Sequence, residues 1–76
     1  MKRKLFEVDE RGIVSELSTF SCGIAPCGGT LVAATDRNEA ANLFQEYRIG
    51  NIQKATAYNV DGFDYPIKNC VVKIGV

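Results

Sequence analysis

The sequence contains no histidine, and its nine basic and nine acidic residues leave no net charge. Histidine is the commonest general base and metal ligand, so its absence argues against catalysis and against a metal site. A neutral chain also lacks the broad positive field typical of nucleic-acid binding proteins. No acidic pair stands out as catalytic. We therefore expect a non-enzymatic protein without a cofactor or a metal ion.

Long apolar runs are also missing. The longest runs span only a few residues, such as residues 31–34, and are far too short to cross a bilayer. Lys2, Arg3 and Lys4 resemble the start of a secretion signal, but acidic residues soon interrupt the chain where an apolar segment should follow. We expect a cytoplasmic protein with no membrane segment.

Cysteine is scarce and odd in number, at Cys22, Cys27 and Cys70. Without a secretion signal, free thiols are the expected state. Four residues separate Cys22 from Cys27, whereas a redox motif has two, and a structural zinc site needs four ligands. We expect these cysteines to serve in packing, with a thiol or metal protein as an alternative.

Residues 36–50 carry the strongest secondary-structure pattern, which is that of a helix. Asp36 is the predicted N-cap, Glu39 completes a capping box, and Gly50 is the predicted stop. The apolar positions that repeat with helical spacing are Ala40, Leu43, Phe44 and Tyr47. This stripe should pack on a sheet.

The remaining chain predicts strands and turns. Predicted strands span residues 2–8, 13–20, 30–35, 52–60 and 67–76, with a glycine-rich loop at 21–29. The order β-β-β-α-β-β indicates one α+β domain over residues 1–76, with one helix on a mostly antiparallel sheet of about five strands. Because one helix covers one face, the other face should lack cover within the chain, which favours a homodimer.

Alternation along these strands assigns side chains to faces. Phe6 and Val8 share one face, and Leu5 lies on the other. In the fourth strand the predicted common face holds Ile52, Thr56, Tyr58 and Val60. In the last strand it holds Cys70, Val72, Ile74 and Val76.

Residues 23–30 come close to the phosphate-binding pattern G-x-x-x-x-G-K-[ST], but Gly29 replaces the lysine. The segment that follows has the pattern of a strand, whereas a true phosphate loop opens a helix. We therefore expect a flexible connection here, without nucleotide chemistry.

The basic run Lys2, Arg3 and Lys4 has two interpretations. It could contact phosphate as a basic arm, which makes a nucleic-acid accessory protein an alternative function. Acidic residues from Glu7 onward counter this charge, so a charged edge strand that discourages aggregation is the favoured interpretation. Nucleic acid is not the expected partner.

The turn at residues 61–66 is the best candidate for a contact site. Asp61 and Gly62 predict a chain reversal, and the candidate partner-binding residues Phe63, Asp64 and Tyr65 follow. Aromatic residues are enriched at interface hot spots, although turn aromatics often complete a core instead. We expect a stand-alone module that binds another protein as an inhibitor, adaptor or regulator.

Overall fold

A computed structural model describes residues 2–17 and 29–73. The elements are β1 (Lys4–Val8), β2 (Val14–Glu16), β3 (Thr30–Ala34), α1 (Arg37–Arg48), β4 (Lys54–Ala57) and β5 (Ile67–Val72). The predicted α+β order is confirmed. The predicted loop up to residue 28 and the predicted strand ends at 18–20 and 74–76 lie outside the described residues.

The strands form one sheet with the order β2-β1-β3-β5-β4. Three of its four pairings are antiparallel, and only β3 with β5 is parallel. A parallel pair needs a crossover, and α1 followed by β4 lies between these two strands in the sequence. The mostly antiparallel sheet is therefore confirmed, with β2 and β4 at its edges.

Both ends of α1 form as the local sequence predicts. The Asp36 carboxylate accepts a hydrogen bond from the N–H of Glu39 at 2.8 Å. The Glu39 carboxylate reaches one residue further back than a capping box requires, and accepts from the N–H of Thr35 at 2.9 Å. Gly50 has φ +88° and donates its N–H to the Tyr47 carbonyl, which ends the helix.

The apolar stripe of α1 packs on one face of the sheet, as predicted. Ala40 and Leu43 are buried, and Phe44 and Tyr47 are half-buried against the same cluster. We call this group the helix-side cluster: Phe6, Val8, Val32, Ala34, Ala40, Leu43 and Val71. The predicted shared face of Phe6 and Val8 is thereby confirmed.

The opposite face of the sheet holds a core of its own, the second-face cluster: Leu5, Leu31, Ala33, Ala57, Val60, Ile67, Cys70 and Val72. The expectation that this face lacks cover within the chain is wrong, because Leu5, Ala33 and Cys70 are fully buried. Val60 and Phe63, from the connection between β4 and β5, pack into or against this cluster. Self-association stays a prediction, but an open sheet face no longer supports it.

The predicted common face of the fourth strand is also wrong. Ile52 packs against the helix-side cluster, whereas Val60 belongs to the second-face cluster and Tyr58 is exposed. The strand ends at Ala57, and Asn59 then adopts a positive φ of 57°. Strict alternation stops at such a residue, because the left-handed conformation turns the chain out of the strand.

A bulge resets the alternation in β5. Ala55 pairs with Cys70 and Ala57 pairs with Ile67, so β5 contains one extra residue between the two pairs. Asn69, with φ +56°, lies within this bulge. Ile67 therefore shares a face with Cys70, and the predicted pairing of Cys70 with Val72 on one face is confirmed.

Candidate functional site

The connection between β4 and β5 forms the wall of a surface cavity of about 410 Å³. We call it the tyrosine cleft, and its lining residues are Lys2, Tyr58, Asn59, Val60, Gly62, Phe63, Asp64, Tyr65 and Pro66. The three predicted contact residues, Phe63, Asp64 and Tyr65, are all in this lining. The rings of Phe63 and Tyr65 meet edge to face, with centroids 5.9 Å apart and an angle of 89°. This geometry is favourable for an aromatic pair.

A tight turn positions the two rings. The N–H of Phe63 donates to the carbonyl of Val60 at 3.1 Å, which closes the reversal. Gly62 has φ +86°, a conformation that a residue with a Cβ adopts only at a cost. Because Val60 is held in the second-face cluster, the turn is anchored on the core and the residues after it project from a fixed base.

The N-terminal segment fastens this connection from the other side. Arg3 forms a bridge with Val60, and the N–H of Asp61 donates to the Arg3 carbonyl at 2.7 Å. The Arg3 guanidinium donates to the carbonyl of Tyr58 at 3.1 Å. These contacts bring Lys2 into the cleft lining, although it lies more than fifty residues from the tyrosines in sequence.

The three basic residues near the N-terminus have different environments. Arg3 also donates to the Lys73 carbonyl at 3.5 Å, so its guanidinium contacts backbone carbonyls. Lys2 lines the tyrosine cleft, whereas Lys4 lines a separate cavity of about 270 Å³ that also contains Glu16. The favoured interpretation as a charged edge strand is wrong, because β1 lies inside the sheet between β2 and β3.

The cleft presents aromatic surface together with charges of both signs. Tyr58 is 59% exposed and Tyr65 is 45% exposed, while Phe63 is half-buried. Lys2 and Asp64 are both exposed and carry opposite charges. Sequence reasoning missed Tyr58, because alternation placed it on a buried strand face, and missed Lys2, because only the fold brings it here.

Cys70 is part of the second-face cluster and is fully buried. Burial raises the pKa of its thiol from an ordinary 9.0 to about 11, because the thiolate would lose its hydration. Cys22 and Cys27 lie outside the described residues. Within residues 2–17 and 29–73, no three potential metal ligands come together. The packing role predicted for Cys70 agrees with its position.

Cys70 should resist alkylation in the folded protein. An added thiol reagent at pH 8 is expected to leave Cys70 unmodified until denaturant is present, since the thiolate is the reactive form and the site is closed. Mass mapping of the Cys70 peptide before and after unfolding measures this. Rapid native modification would show that the second-face cluster opens.

The same raised pKa links stability to alkaline pH. A folded-state pKa above the unfolded value means that the neutral thiol contributes stability fully below about pH 9. This contribution should be lost as the pH rises toward about 11. Urea midpoints for the parent and for Cys70→Ala should therefore converge over this interval.

Comparison with known proteins yields no relative: no family model, curated protein or solved structure matches the chain. In the part of the chain that the structure describes, no helix has the length and apolarity needed to cross a membrane. Function must therefore be inferred from the tyrosine cleft and its surroundings.

Proposed function

We propose that this protein is a small, non-enzymatic binding module that contacts another protein through the tyrosine cleft. It acts in the cytoplasm as an inhibitor, adaptor or regulator by occupying a surface of its partner. It needs no cofactor or metal ion for this role, and it also associates with itself as a homodimer.

The exposure of Tyr58 and Tyr65 is the observation that carries this proposal. Both rings line one cavity, yet about half of each side chain faces solvent. A tyrosine contributes a large contact area with few rotatable bonds, so burying it against a partner is favourable. Two such rings beside one cavity match the composition of an interface hot spot.

The base of the cleft is rigid, which also favours recognition. Phe63 packs against the second-face cluster and contacts the ring of Tyr65 edge to face. Arg3 fixes the connection through its carbonyl and its guanidinium. A preorganised surface loses less conformational entropy when it binds, so more of the contact energy contributes to affinity.

Two opposite charges give the cleft direction. Lys2 and Asp64 lie in its lining, so a partner with complementary charges would bind in one orientation. The cavity volume of about 410 Å³ falls in the range of about 300–1,000 Å³ that is typical of binding pockets. A few partner side chains would fill it.

The test is to replace both exposed tyrosines and to measure partner capture. Tagged parent and Tyr58→Ala/Tyr65→Ala protein are incubated with extract of the native host, and bound proteins are quantified by mass spectrometry. We expect at least one protein to be captured by the parent and reduced about tenfold or more with the variant, as for hot-spot tyrosines. Melting temperatures should stay close, because surface substitutions usually change stability little.

The matched control is Ile49→Ala. Ile49 is 60% exposed at the C-cap of α1 and does not line the tyrosine cleft. Its replacement removes a similar exposed apolar side chain and should leave capture unchanged. Equal capture by the parent and the double variant would contradict the proposal.

A further inference from the structure

The two edges of the sheet differ in how their backbone groups are protected. The edge strand β2 has only three residues, and the Arg37 guanidinium donates a hydrogen bond to the carbonyl of Val14 at its first position. Short length and a side-chain cap both limit pairing of this edge with another strand.

The edge strand β4 has no comparable cap. Among the described residues, no hydrogen bond beyond the ladder with β5 involves residues 54–57, by backbone or by side chain. The strand carries one charge, at Lys54, and no proline. Its outer N–H and C=O groups therefore form an open template for another strand.

The sequence of β4 suits pairing with itself. Across a two-fold axis normal to the sheet, opposite residues must project on the same face, so an antiparallel pair is centred on a residue. Centring on Ala55 places Lys54 of one copy opposite Thr56 of the other. Centring on Thr56 places Lys54 opposite Tyr58, where a cation can lie near an aromatic ring. Neither arrangement places the two Lys54 side chains opposite each other.

We infer that two copies of this chain associate through the outer edges of β4, which join their sheets into one continuous sheet. The absence of net charge helps, because two identical neutral chains do not repel at long range. The inference rests on the self-association proposed above and assigns it a surface. A four-residue ladder is short, so the dimer is weak and depends on concentration.

Thr56→Lys tests the assigned edge. In both registers the new lysine faces Lys54 or its own symmetry copy, and like charges directly opposite each other destabilise strand pairing. Sedimentation across a concentration series reaching the millimolar range should show the dimer dissociation constant rise about tenfold, because the repulsion occurs twice. Asn42→Lys adds the same charge at an exposed position of α1 and should leave the constant unchanged.

Mixing variants gives a test that does not depend on loss of function. Thr56→Glu combined in equal amounts with Thr56→Lys replaces a like-charge contact with an attractive one in either register. The mixture should therefore dimerise more strongly than Thr56→Lys alone. Circular dichroism of each variant confirms that it is folded, and hydrogen exchange at residues 54–57 of the parent should slow as concentration rises.

Three results would overturn the inference. A parent that stays monomeric throughout the series would remove both the proposed self-association and its surface. A dimer unaffected by Thr56→Lys would remove the β4 edge alone, as would exchange at residues 54–57 that is independent of concentration. None of these results bears on Tyr65 in the capture experiment, so failure of the dimer and failure of the cleft are distinguishable.

Discussion

Replacing Leu5 with alanine is expected to lower the free energy of unfolding by about 2–5 kcal/mol, as is replacing Leu43 with alanine. Leu5 is 0% exposed in the second-face cluster, and Leu43 is 8% exposed in the helix-side cluster. Each truncation removes apolar contacts and leaves a cavity that the neighbouring side chains fill only in part. Urea unfolding followed by circular dichroism measures both losses.

The comparison between Leu5 and Leu43 matters more than either value. Similar losses would show that both faces of the sheet are sealed within one chain, although only one face has a helix. Ile49→Ala is the control, with an expected change of less than about 0.5 kcal/mol for an exposed side chain. If Leu5→Ala unfolds at the parent's urea midpoint, the second face is open, and a dimer across that face regains its basis.

The helix could be predicted because its signals are local. Asp36, Glu39 and Gly50 specify the two ends through hydrogen bonds and backbone conformation within one turn. The apolar stripe has a period that strands do not share. Nothing distant in the chain is needed to recognise this element.

The faces of the last two strands could not be fully predicted, because backbone conformation changes the alternation. Asn59 and Asn69 both have a positive φ, which asparagine tolerates better than most residues. Asparagine also occurs often in ordinary turns, so the sequence does not show where the alternation resets. Tyr58 was assigned to a buried face and is exposed for this reason.

The candidate site was predictable in part for the same reason. Turn chemistry at Asp61 and Gly62 is local and correctly indicated a reversal that presents Phe63 and Tyr65. The contribution of Lys2 depends on contacts between Arg3 and Asp61, which are 58 positions apart in the sequence. Contacts of such separation follow from the assembled sheet and leave no pattern in the residues themselves.

The two aromatic residues of the turn are expected to respond differently to truncation. Phe63→Ala should lower the free energy of unfolding by about 1–3 kcal/mol, less than a fully buried phenylalanine would. Phe63 is half-buried and packs against the second-face cluster, so its removal exposes apolar surface beneath the turn. Tyr65→Ala should change stability by less than about 0.5 kcal/mol, because Tyr65 is 45% exposed.

This difference separates the two roles that the sequence left open for the turn. A costly Phe63→Ala together with a neutral Tyr65→Ala assigns the first ring to the core and the second to partner contact. Phe63→Leu is the control: it keeps apolar contact with the cluster and should recover most of the lost stability, although the edge-to-face contact with Tyr65 is removed. Equal and large losses at both positions, measured by urea unfolding, would place Tyr65 in the core and remove it from the proposed contact surface.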